Sequence, residues 1–396
     1  LAQKEKPLLL ETLKDLVNIE SGSFDNEGLE RIGALLAKRF TALGGTVDFI
    51  DGNADATRDS GSPEKIGRTL RAVFSGTGTK KILLIAHMDT VYPRGMLSGQ
   101  PFKVEGDRAY GLGIADDKQG IAVILHVLSM LRAVNYRDYG TLTVLINSDE
   151  EISSPGSRNH IAKAGAEHDA VMSFEGGGNP QSDNLRLATS GIGAATINVR
   201  GRASHAGSAP ERGVNAFYEL AHQVLQTRDL SDPKIGLKMN WTVASAGTNR
   251  NVIPAIASAT ADVRVLRVAD YDGIEEKVKE RIKNQLIPDT KVHMTFERRR
   301  PPLELTPANA ALAKHAQAIY SEIGRQLVIG DVAEGGGTDA AFAALRTKSP
   351  VIERFGLQGF GAHSNDAEYV YIDSIEPRLY LLTRMIMDVS NGKAKW

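Results

Sequence analysis

Residues 80–90, KKILLIAHMDT, contain the pattern that decides the fold of this chain. Five apolar residues run from position 82 to position 86, between two lysines and the polar sequence His87-Met88-Asp89. A short apolar run of this kind is typical of a strand buried on both faces, as in a parallel sheet. Because side chains alternate along a strand, His87 and Asp89 point the same way, and Asp89 can accept the ring N–H of His87. The stretch predicts a strand that ends in a candidate ligand site, with a histidine that only caps the strand end as the alternative.

Strands and helices alternate on both sides of this stretch. The spacing of apolar residues predicts helices at residues 8–19, 29–43 and 117–132, and short β-branched or apolar runs predict strands at residues 69–74, 81–86, 141–147 and 170–174. A polar, turn-rich segment at residues 51–63 predicts a loop. Alternating strands and helices indicate an α/β domain with a largely parallel sheet.

The middle of the chain has a different order of elements. The apolar patterns predict four strands, at residues 194–200, 241–246, 256–265 and 292–297, and two helices, at residues 214–227 and 271–286. Their order along the chain is β-α-β-β-α-β, which is that of a ferredoxin-like α+β domain. After this segment the pattern predicts helices at residues 308–323, 339–345 and 375–389 and a strand near residues 351–353. These elements indicate that the chain returns to the first domain. We therefore expect an α/β domain made of residues 1–189 and 302–396, with an inserted domain at residues 190–301.

The composition excludes several classes of function. The 396 residues include 47 Lys and Arg and 48 Asp and Glu, so the formal net charge is −1 at pH 7. This balance gives no electrostatic attraction for nucleic acid or an acidic membrane surface, and no apolar run approaches the roughly 20 residues that cross a bilayer. We expect a small-molecule substrate, and neither nucleic acid nor a membrane as partner. Because the chain has no cysteine, any metal must be bound by His, Asp or Glu.

Acidic residues stand at the ends of several predicted elements. Asp116 precedes the helix at residues 117–132, after a glycine-rich turn that lacks the third glycine of a dinucleotide-binding loop; a plain helix N-cap is the alternative role for Asp116. Glu150 and Glu151 follow one predicted strand and Glu175 follows the next. Since neighbouring side chains of an extended chain face different directions, one of Glu150 and Glu151 can bind a cation while the other transfers protons.

Two glycine-rich loops near the C-terminus complete the candidate set. Residues 335–339 can wrap backbone amides around an anion ahead of a helix, and residues 361–364 carry a histidine. The strand ends and loops together supply two imidazoles and three carboxylates, namely His87, Asp116, Glu151, Glu175 and His363. That number and kind of ligand suits two divalent cations that share one bridging carboxylate.

At these residues the sequence resembles a known enzyme family over nearly its whole length. The matching segments, in the family's order and approximate spacing, are residues 87–92, 113–118, 149–151, 173–175, 203–207, 335–340 and 363–364. The family consists of di-zinc exopeptidases and includes aminoacylases, desuccinylases and glutamate carboxypeptidases. The resemblance implies a zinc-exopeptidase catalytic domain of α/β class, in which the ferredoxin-like insertion serves as a lid and for dimerisation.

The resemblance also implies metal ligands and catalytic groups. Two Zn²⁺ ions per chain, or other divalent metals, would be bound, one by His87 and Glu175 and the other by Glu151 and His363, with Asp116 as the bridge. In the catalytic roles, Asp89 would orient the first histidine and Glu150 would be the general acid and base. In a homodimer formed through the lid domain, the partner subunit's His205 would donate to the developing oxyanion. The residues implied in substrate binding are Arg264, Arg300, Asn251, Gly336 and Thr338.

The resemblance predicts a zinc-dependent carboxypeptidase that hydrolyses the amide bond to a C-terminal glutamate-like residue of an N-acyl amino acid or peptide, with folates as one candidate. An N-acyl-amino-acid deacylase or a dipeptidase is the alternative within this chemistry. A two-domain solute-binding protein with a structural metal is the alternative from another class, and it gives no reason for Glu150 beside Glu151. Residues 1–4 resemble those around the signal-cleavage site of an exported family member, which predicts a periplasmic or secreted enzyme, with the cytoplasm as the alternative.

Overall fold

The fold is that of a computed structural model, which describes residues 1–52, 61–333, 336–364 and 368–396. The chain divides into two compact units. Unit 1 comprises Leu1–Ala188, Leu305–Val332 and Thr338–Trp396, and unit 2 comprises Thr189–Glu304 and Ala333–Gly337. Most of the predicted loop at residues 51–63, and Gly335 of the glycine-rich loop, lie outside the described residues.

Unit 1 is built on a six-stranded mixed sheet. Numbered in chain order, its strands lie side by side as β1 (Thr46–Ile50), β2 (Thr69–Ser75), β6 (Thr141–Asn147), β3 (Lys81–His87), β7 (Ala170–Ser173) and β15 (Val351–Ile352). The four strands from β6 to β15 pair in parallel, whereas β1 and β2 are joined in antiparallel fashion. The predicted α/β class with a largely parallel sheet is confirmed, and residues 80–90 supply one of its central strands.

Helices and short strands surround this sheet and share its apolar core. The helices are α1 (Ala2–Val17), α2 (Asn26–Ala42), α3 (Gln119–Ala133), α4 (Arg158–Glu167), α7 (Pro307–Ser321), α8 (Ala340–Ala344) and α9 (Ile375–Ser390). One small sheet contains β16 (Gly359–Phe360), β17 (Tyr369–Tyr371), β5 (Arg108–Tyr110) and β4 (Lys103–Glu105), and another contains β14 (Val328–Gly330), β9 (Ser182–Arg186) and β8 (Gly178–Asn179). Within the described ranges, no helix combines the length and apolar character that crossing a membrane requires.

Unit 2 has the β-α-β-β-α-β order that the sequence predicts. Its elements are β10 (Gly191–Arg200), α5 (Ala216–Gln226), β11 (Lys238–Ala246), β12 (Ile256–Val265), α6 (Ala269–Arg281) and β13 (Lys291–Arg300). The four strands form one antiparallel sheet in the order β11-β12-β10-β13, with its own apolar core. This is the ferredoxin-like arrangement, in which the two strands that precede helices, β10 and β12, pair with each other at the centre of the sheet.

Helix ends and edge strands differ most from the sequence prediction. Helix α2 begins at Asn26, before the predicted start at residue 29, because Asp25 caps it by accepting a hydrogen bond of 2.9 Å from the Gly28 N–H. Its polar first turn contributes no apolar periodicity, so the pattern begins late. Strand β1 and helix α4 were not predicted. Strand β1 is an edge strand without a fully apolar run, and half of the ten residues of α4 are polar.

His168 is a half-buried histidine of unit 1 whose titration makes folding depend on pH. Its Nδ1 lies 2.7 Å from the Ala164 carbonyl oxygen and its Nε2 lies 2.8 Å from Thr143 Oγ1, so a neutral ring satisfies both contacts. Burial lowers the pKa of His168 below 6.5. The unfolded chain therefore takes up the proton first. The contribution to the free energy of unfolding is fully present above about pH 6.5 and is lost as the pH falls below it.

We expect His168→Gln to remove this pH dependence. Between pH 6.5 and pH 5, one proton taken up on unfolding contributes at most about 1.4 kcal/mol per pH unit to the slope of the unfolding free energy. Urea unfolding at a series of pH values measures the slope, and His293→Gln, at an exposed histidine, is the control that should match the wild type. Equal slopes for His168→Gln and the wild type would contradict the prediction.

Candidate metal centre

The five predicted metal ligands come together at the carboxyl edge of the main sheet. His87 ends β3, Glu151 and Glu175 follow β6 and β7, Asp116 precedes α3, and His363 follows β16. His87 Nε2 lies 3.0 Å from Asp116 Oδ1, and His363 Nε2 lies 3.2 Å from Asp116 Oδ2. Asp116 therefore turns one carboxylate oxygen toward each histidine.

Two groups of ligand atoms meet at Asp116. Glu175 Oε1 is 3.6 Å from His87 Nε2, and Glu151 Oε2 is 3.0 Å from His363 Nε2. The atoms within 4.8 Å of one another belong to His87, Glu150 and Glu175 in one group, and to Asp116, Glu151 and His363 in the other. The arrangement offers two neighbouring cation positions with Asp116 between them.

Asp89 fixes the orientation of His87. The Nδ1 atom of His87 lies 3.1 Å from the Asp89 carbonyl oxygen and 3.3 Å from Asp89 Oδ1, which leaves Nε2 facing the cluster. The buried Asp89 carboxylate also accepts hydrogen bonds from the Ser23 hydroxyl at 2.7 Å and from the backbone N–H groups of Glu150 and Glu151 at 3.1 Å each. One carboxylate thus positions the first ligand and the turn that carries two further acidic residues.

The charges of the cluster fit divalent cations. Burial and the nearby charge of Asp116 raise the pKa of Glu175 to about 8, and the same two causes raise the pKa of Glu151. Hydrogen bonds to Asp116 and Glu151 raise the pKa of His363 to about 11. Glu151 Oε1 is buried, and among the described residues none hydrogen-bonds it. Crowded carboxylates with an unsatisfied oxygen, together with imidazoles, are ligands that divalent transition metals prefer.

Glu150 and Glu151 occupy different positions, as their alternation in the sequence predicts. They begin a short 3-10 turn, Glu150–Ile152, which is separated from the end of β6 by two residues. The Glu151 side chain belongs to the group with His363, whereas Glu150 belongs to the group with His87. Glu150 is therefore close enough to the cluster either to bind a cation or to exchange protons with a molecule bound there.

A further acidic residue, Glu353, supports the site and was missed from the sequence. Glu353 is buried at 2% exposure at the end of β15. Its carboxylate accepts a hydrogen bond of 3.2 Å from the Glu175 N–H and another from the Thr338 hydroxyl. No local pattern distinguishes this glutamate, because its partners lie 178 and 15 residues away in the chain.

His205 and Asn251, two further predicted site residues, lie together in unit 2. The exposed His205 ring accepts hydrogen bonds at Nδ1 from the N–H groups of Gly207 and Ser208, each at 3.1 Å. A neutral ring of this kind carries its proton on Nε2 and can donate it. The Asn251 carbonyl accepts a 2.8 Å hydrogen bond from the Ala206 N–H, next to the histidine.

The other predicted substrate-binding residues have different surroundings. Arg264 donates from Nε and Nη2 to the two carboxylate oxygens of Asp262, at 2.9 and 3.0 Å, and Arg300 is buried at 3% exposure. In unit 2, Gly336 has open space where a side chain would lie. In unit 1, Thr338 is buried, and its hydroxyl donates to Glu353. The Thr338 hydroxyl is therefore engaged with Glu353, the carboxylate that also accepts from the Glu175 N–H.

Comparison with known proteins assigns the chain to a family. Residues 83–388 match the model of peptidase family M20/M25/M40. The chain is also 45% identical over 395 residues to carboxypeptidase G2 of Pseudomonas sp. (strain RS-16), which covers 99% of this chain and 92% of that protein. The chain belongs to this peptidase family. It is accordingly an enzyme of the hydrolase class, as the sequence predicts.

Other relatives and solved structures are less similar in sequence. Succinyl-diaminopimelate desuccinylase of Stenotrophomonas maltophilia (strain R551-3) is 27% identical over 333 residues, 79% of this chain and 86% of that enzyme. A tripeptidase from Staphylococcus aureus has a TM-score of 0.77 at 20% identity, covering 98% of this chain and 99% of that structure. A metallo-carboxypeptidase from Sulfolobus solfataricus has a TM-score of 0.74 at 16% identity, and the match covers 97% of this chain and 99% of that structure. These two structures establish the shared fold.

Proposed function

We propose that this enzyme is a metallocarboxypeptidase that hydrolyses the amide bond to a C-terminal glutamate-like residue of an N-acyl amino acid. The observation that carries the proposal is the pair of cation positions on either side of Asp116, with Glu150 beside them. The 45% identity to carboxypeptidase G2 over almost the whole chain supports a carboxypeptidase in preference to a deacylase or a dipeptidase. A solute-binding protein is excluded, because the chain belongs to a peptidase family.

We propose Zn²⁺ as the metal, two ions per chain. One ion would be held by His87 and Glu175, the other by Glu151 and His363, and both by Asp116. The chemistry that two such ions supply when bound is Lewis acidity, which polarises the scissile carbonyl and lowers the pKa of an attacking water. Two imidazoles and three carboxylates supply only nitrogen and oxygen ligands, and such a set is suited to holding two Zn²⁺ ions.

The protein's own groups move the protons and orient the substrate. Glu150 takes the proton of the attacking water and returns it to the leaving nitrogen, so no acyl-enzyme is needed. Asp89 holds His87 with Nε2 toward the cluster throughout. The partner subunit's His205 donates from Nε2–H to the oxygen that gains charge. Arg264 and Arg300 bind the substrate's carboxylates, because a guanidinium pairs both oxygens of such a group.

A cavity in unit 1 gives room for the acyl side of the substrate. It has a volume of about 510 Å³, which lies in the range of ligand sites, and Glu151 forms part of its wall. Apolar side chains that line it include Phe24 and Val91, which are 66% and 41% exposed. An acyl group with a ring would cover these exposed surfaces, whereas an acetyl group would leave most of them in water.

We therefore expect N-benzoyl-glutamate to be hydrolysed with a higher kcat/KM than N-acetyl-glutamate, and Phe24→Ser to reduce this ratio about tenfold through lost apolar contact. Steady-state kinetics with product analysis measures both values. Leu8→Ser, at a 54% exposed residue of α1 outside the cavity, is the control. Preference for the acetyl compound would indicate a deacylase, and cleavage of dipeptides alone a dipeptidase.

We propose that the enzyme is a homodimer formed through unit 2. Strand β11 is at the edge of its sheet and is largely exposed, with Val243 at 63%. Two aromatic residues of α5, Phe217 and Tyr218, are 50% and 60% exposed. An exposed edge strand and adjacent apolar side chains favour pairing with a second copy.

A periplasmic or secreted location stays a prediction, and fractionation of the producing cells tests it.

A further inference from the structure

Tyr92 and Glu368 are two buried residues next to the candidate metal centre, at 5% and 4% exposure. Tyr92 lies in the loop that follows β3, and Glu368 lies directly before β17. The Tyr92 hydroxyl is 2.5 Å from Glu368 Oε2 and 2.8 Å from the Ser364 carbonyl oxygen. The two residues are 276 positions apart in the chain and meet in the space between loops that carry metal ligands.

Glu368 binds the backbone of the turn that carries Asp116. Its Oε2 accepts a hydrogen bond of 2.9 Å from the Gly113 N–H, and its Oε1 accepts bonds of 2.8 and 3.1 Å from the N–H groups of Ala115 and Asp116. Gly113 has a φ of +70°, which a glycine adopts without strain. One carboxylate thus fixes three N–H groups of this turn, which the structure otherwise closes with a backbone hydrogen bond of 3.0 Å from the Lys118 N–H to the Gly113 carbonyl.

Tyr92 binds the turn that carries His363. The Ser364 N–H donates to the Gly361 carbonyl at 2.8 Å, which closes the turn, and the Ser364 carbonyl accepts the Tyr92 hydroxyl. His363 has a φ of 63°, a left-handed conformation that is costly for a residue with a side chain and needs support from its surroundings. Its side chain is 57% exposed. The Tyr92 hydroxyl connects this exposed turn to the buried part of the site.

We propose that Tyr92 and Glu368 are positioning residues that set the separation between Asp116 and His363. The inference rests on the proposed function, because it assumes that two cations share Asp116. Glu368 holds the shared ligand, so its loss weakens both cation positions. Tyr92 holds the turn that carries His363, which belongs to one cation position only. Loss of the Tyr92 hydroxyl therefore weakens binding at the position that contains Glu151 and His363. Substitution of a residue that hydrogen-bonds a metal ligand typically lowers the affinity for the metal 10- to 100-fold.

The test is a titration of the metal-stripped, full-length protein with Co²⁺, followed by its visible absorption. The wild type should bind two equivalents. Tyr92→Phe should bind the first equivalent with wild-type affinity and the second at least tenfold more weakly, and Glu368→Gln should weaken both at least tenfold. Tyr320→Phe is the matched control, because Tyr320 is buried and donates to a carboxylate, Asp183, at 2.5 Å, away from the ligands. It should bind both equivalents as the wild type does.

Each outcome separates the inference from the proposed function. The positioning role of Tyr92 would be overturned if Tyr92→Phe binds the second equivalent of Co²⁺ with an affinity within twofold of the wild type. It would also be overturned if Tyr320→Phe loses as much affinity for that equivalent as Tyr92→Phe does. Wild-type affinities in Glu368→Gln would overturn that of Glu368. Wild-type protein that binds fewer than two equivalents would instead overturn the proposed two-cation site. Near-ultraviolet circular dichroism of each variant checks that it is folded before the titration.

Discussion

Glu150→Gln should retain both metal ions and lose about three orders of magnitude in kcat, within the range of 10² to 10⁴ that a general acid and base contributes. The amide has the size of the carboxyl group but cannot accept the proton of the attacking water. Asp89 binds the backbone N–H of residue 150, not its side chain, so the turn should keep its place. Metal analysis and steady-state kinetics on the same preparation measure both quantities.

A matched control for this variant is Glu322→Gln, at a surface ion pair with Arg384. It should retain the wild-type kcat. If Glu150→Gln turns over substrate at a near-normal rate, Glu150 is not the proton-transfer group. If it loses one metal ion together with activity, Glu150 is a ligand of the His87 position, which its place in that group of atoms also allows.

His205→Ala should lower kcat by about 10² to 10³ and change KM little. The effect follows from a donor that contacts the substrate oxygen mainly when it carries charge, because such a donor stabilises the transition state more than the ground state. The hydrogen bonds from Gly207 and Ser208 to Nδ1 leave the proton on Nε2, as this role requires. His222→Ala, at a partly exposed histidine of α5 whose Nε2 contacts the Asn284 carbonyl at 3.0 Å, should have wild-type kinetics.

Mixing two inactive variants tests whether subunits share the site. A dimer of one His205→Ala chain and one Glu150→Gln chain has one complete site, made of Glu150 from the first chain and His205 from the second. With random assortment, about a quarter of the wild-type activity should return. A mixture that exchanges subunits, as labelled chains report, but stays inactive would show that each chain uses its own histidine.

The sequence predicts those parts of the fold and site that depend on neighbouring residues. The apolar run before His87 indicates a buried strand, and its end locates a candidate metal ligand at the sheet edge. The order of elements in residues 190–301 likewise indicates a ferredoxin-like unit. In each case a local pattern of side chains is enough, because strands and helices bury their apolar faces in a regular way.

The remaining features depend on contacts between distant parts of the chain. Glu353 and Glu368 belong to none of the motifs in the sequence, and their partners become apparent only when β15 and β17 are in place beside the loops they support. The pairing of Arg264 with Asp262 was also not predicted, although strand alternation places the two side chains on one face. Edge strands and polar helices such as α4 lack the apolar periodicity that a prediction needs.

Anomalous diffraction at the zinc edge from crystals of the zinc-loaded enzyme tests the central claim most directly. The claim is that five side chains from separate strand ends gather around two neighbouring cations. It predicts two peaks about 3.5 to 4 Å apart, as in other two-metal sites, with Asp116 contacting both. A single peak, or two peaks that share no ligand, would contradict it.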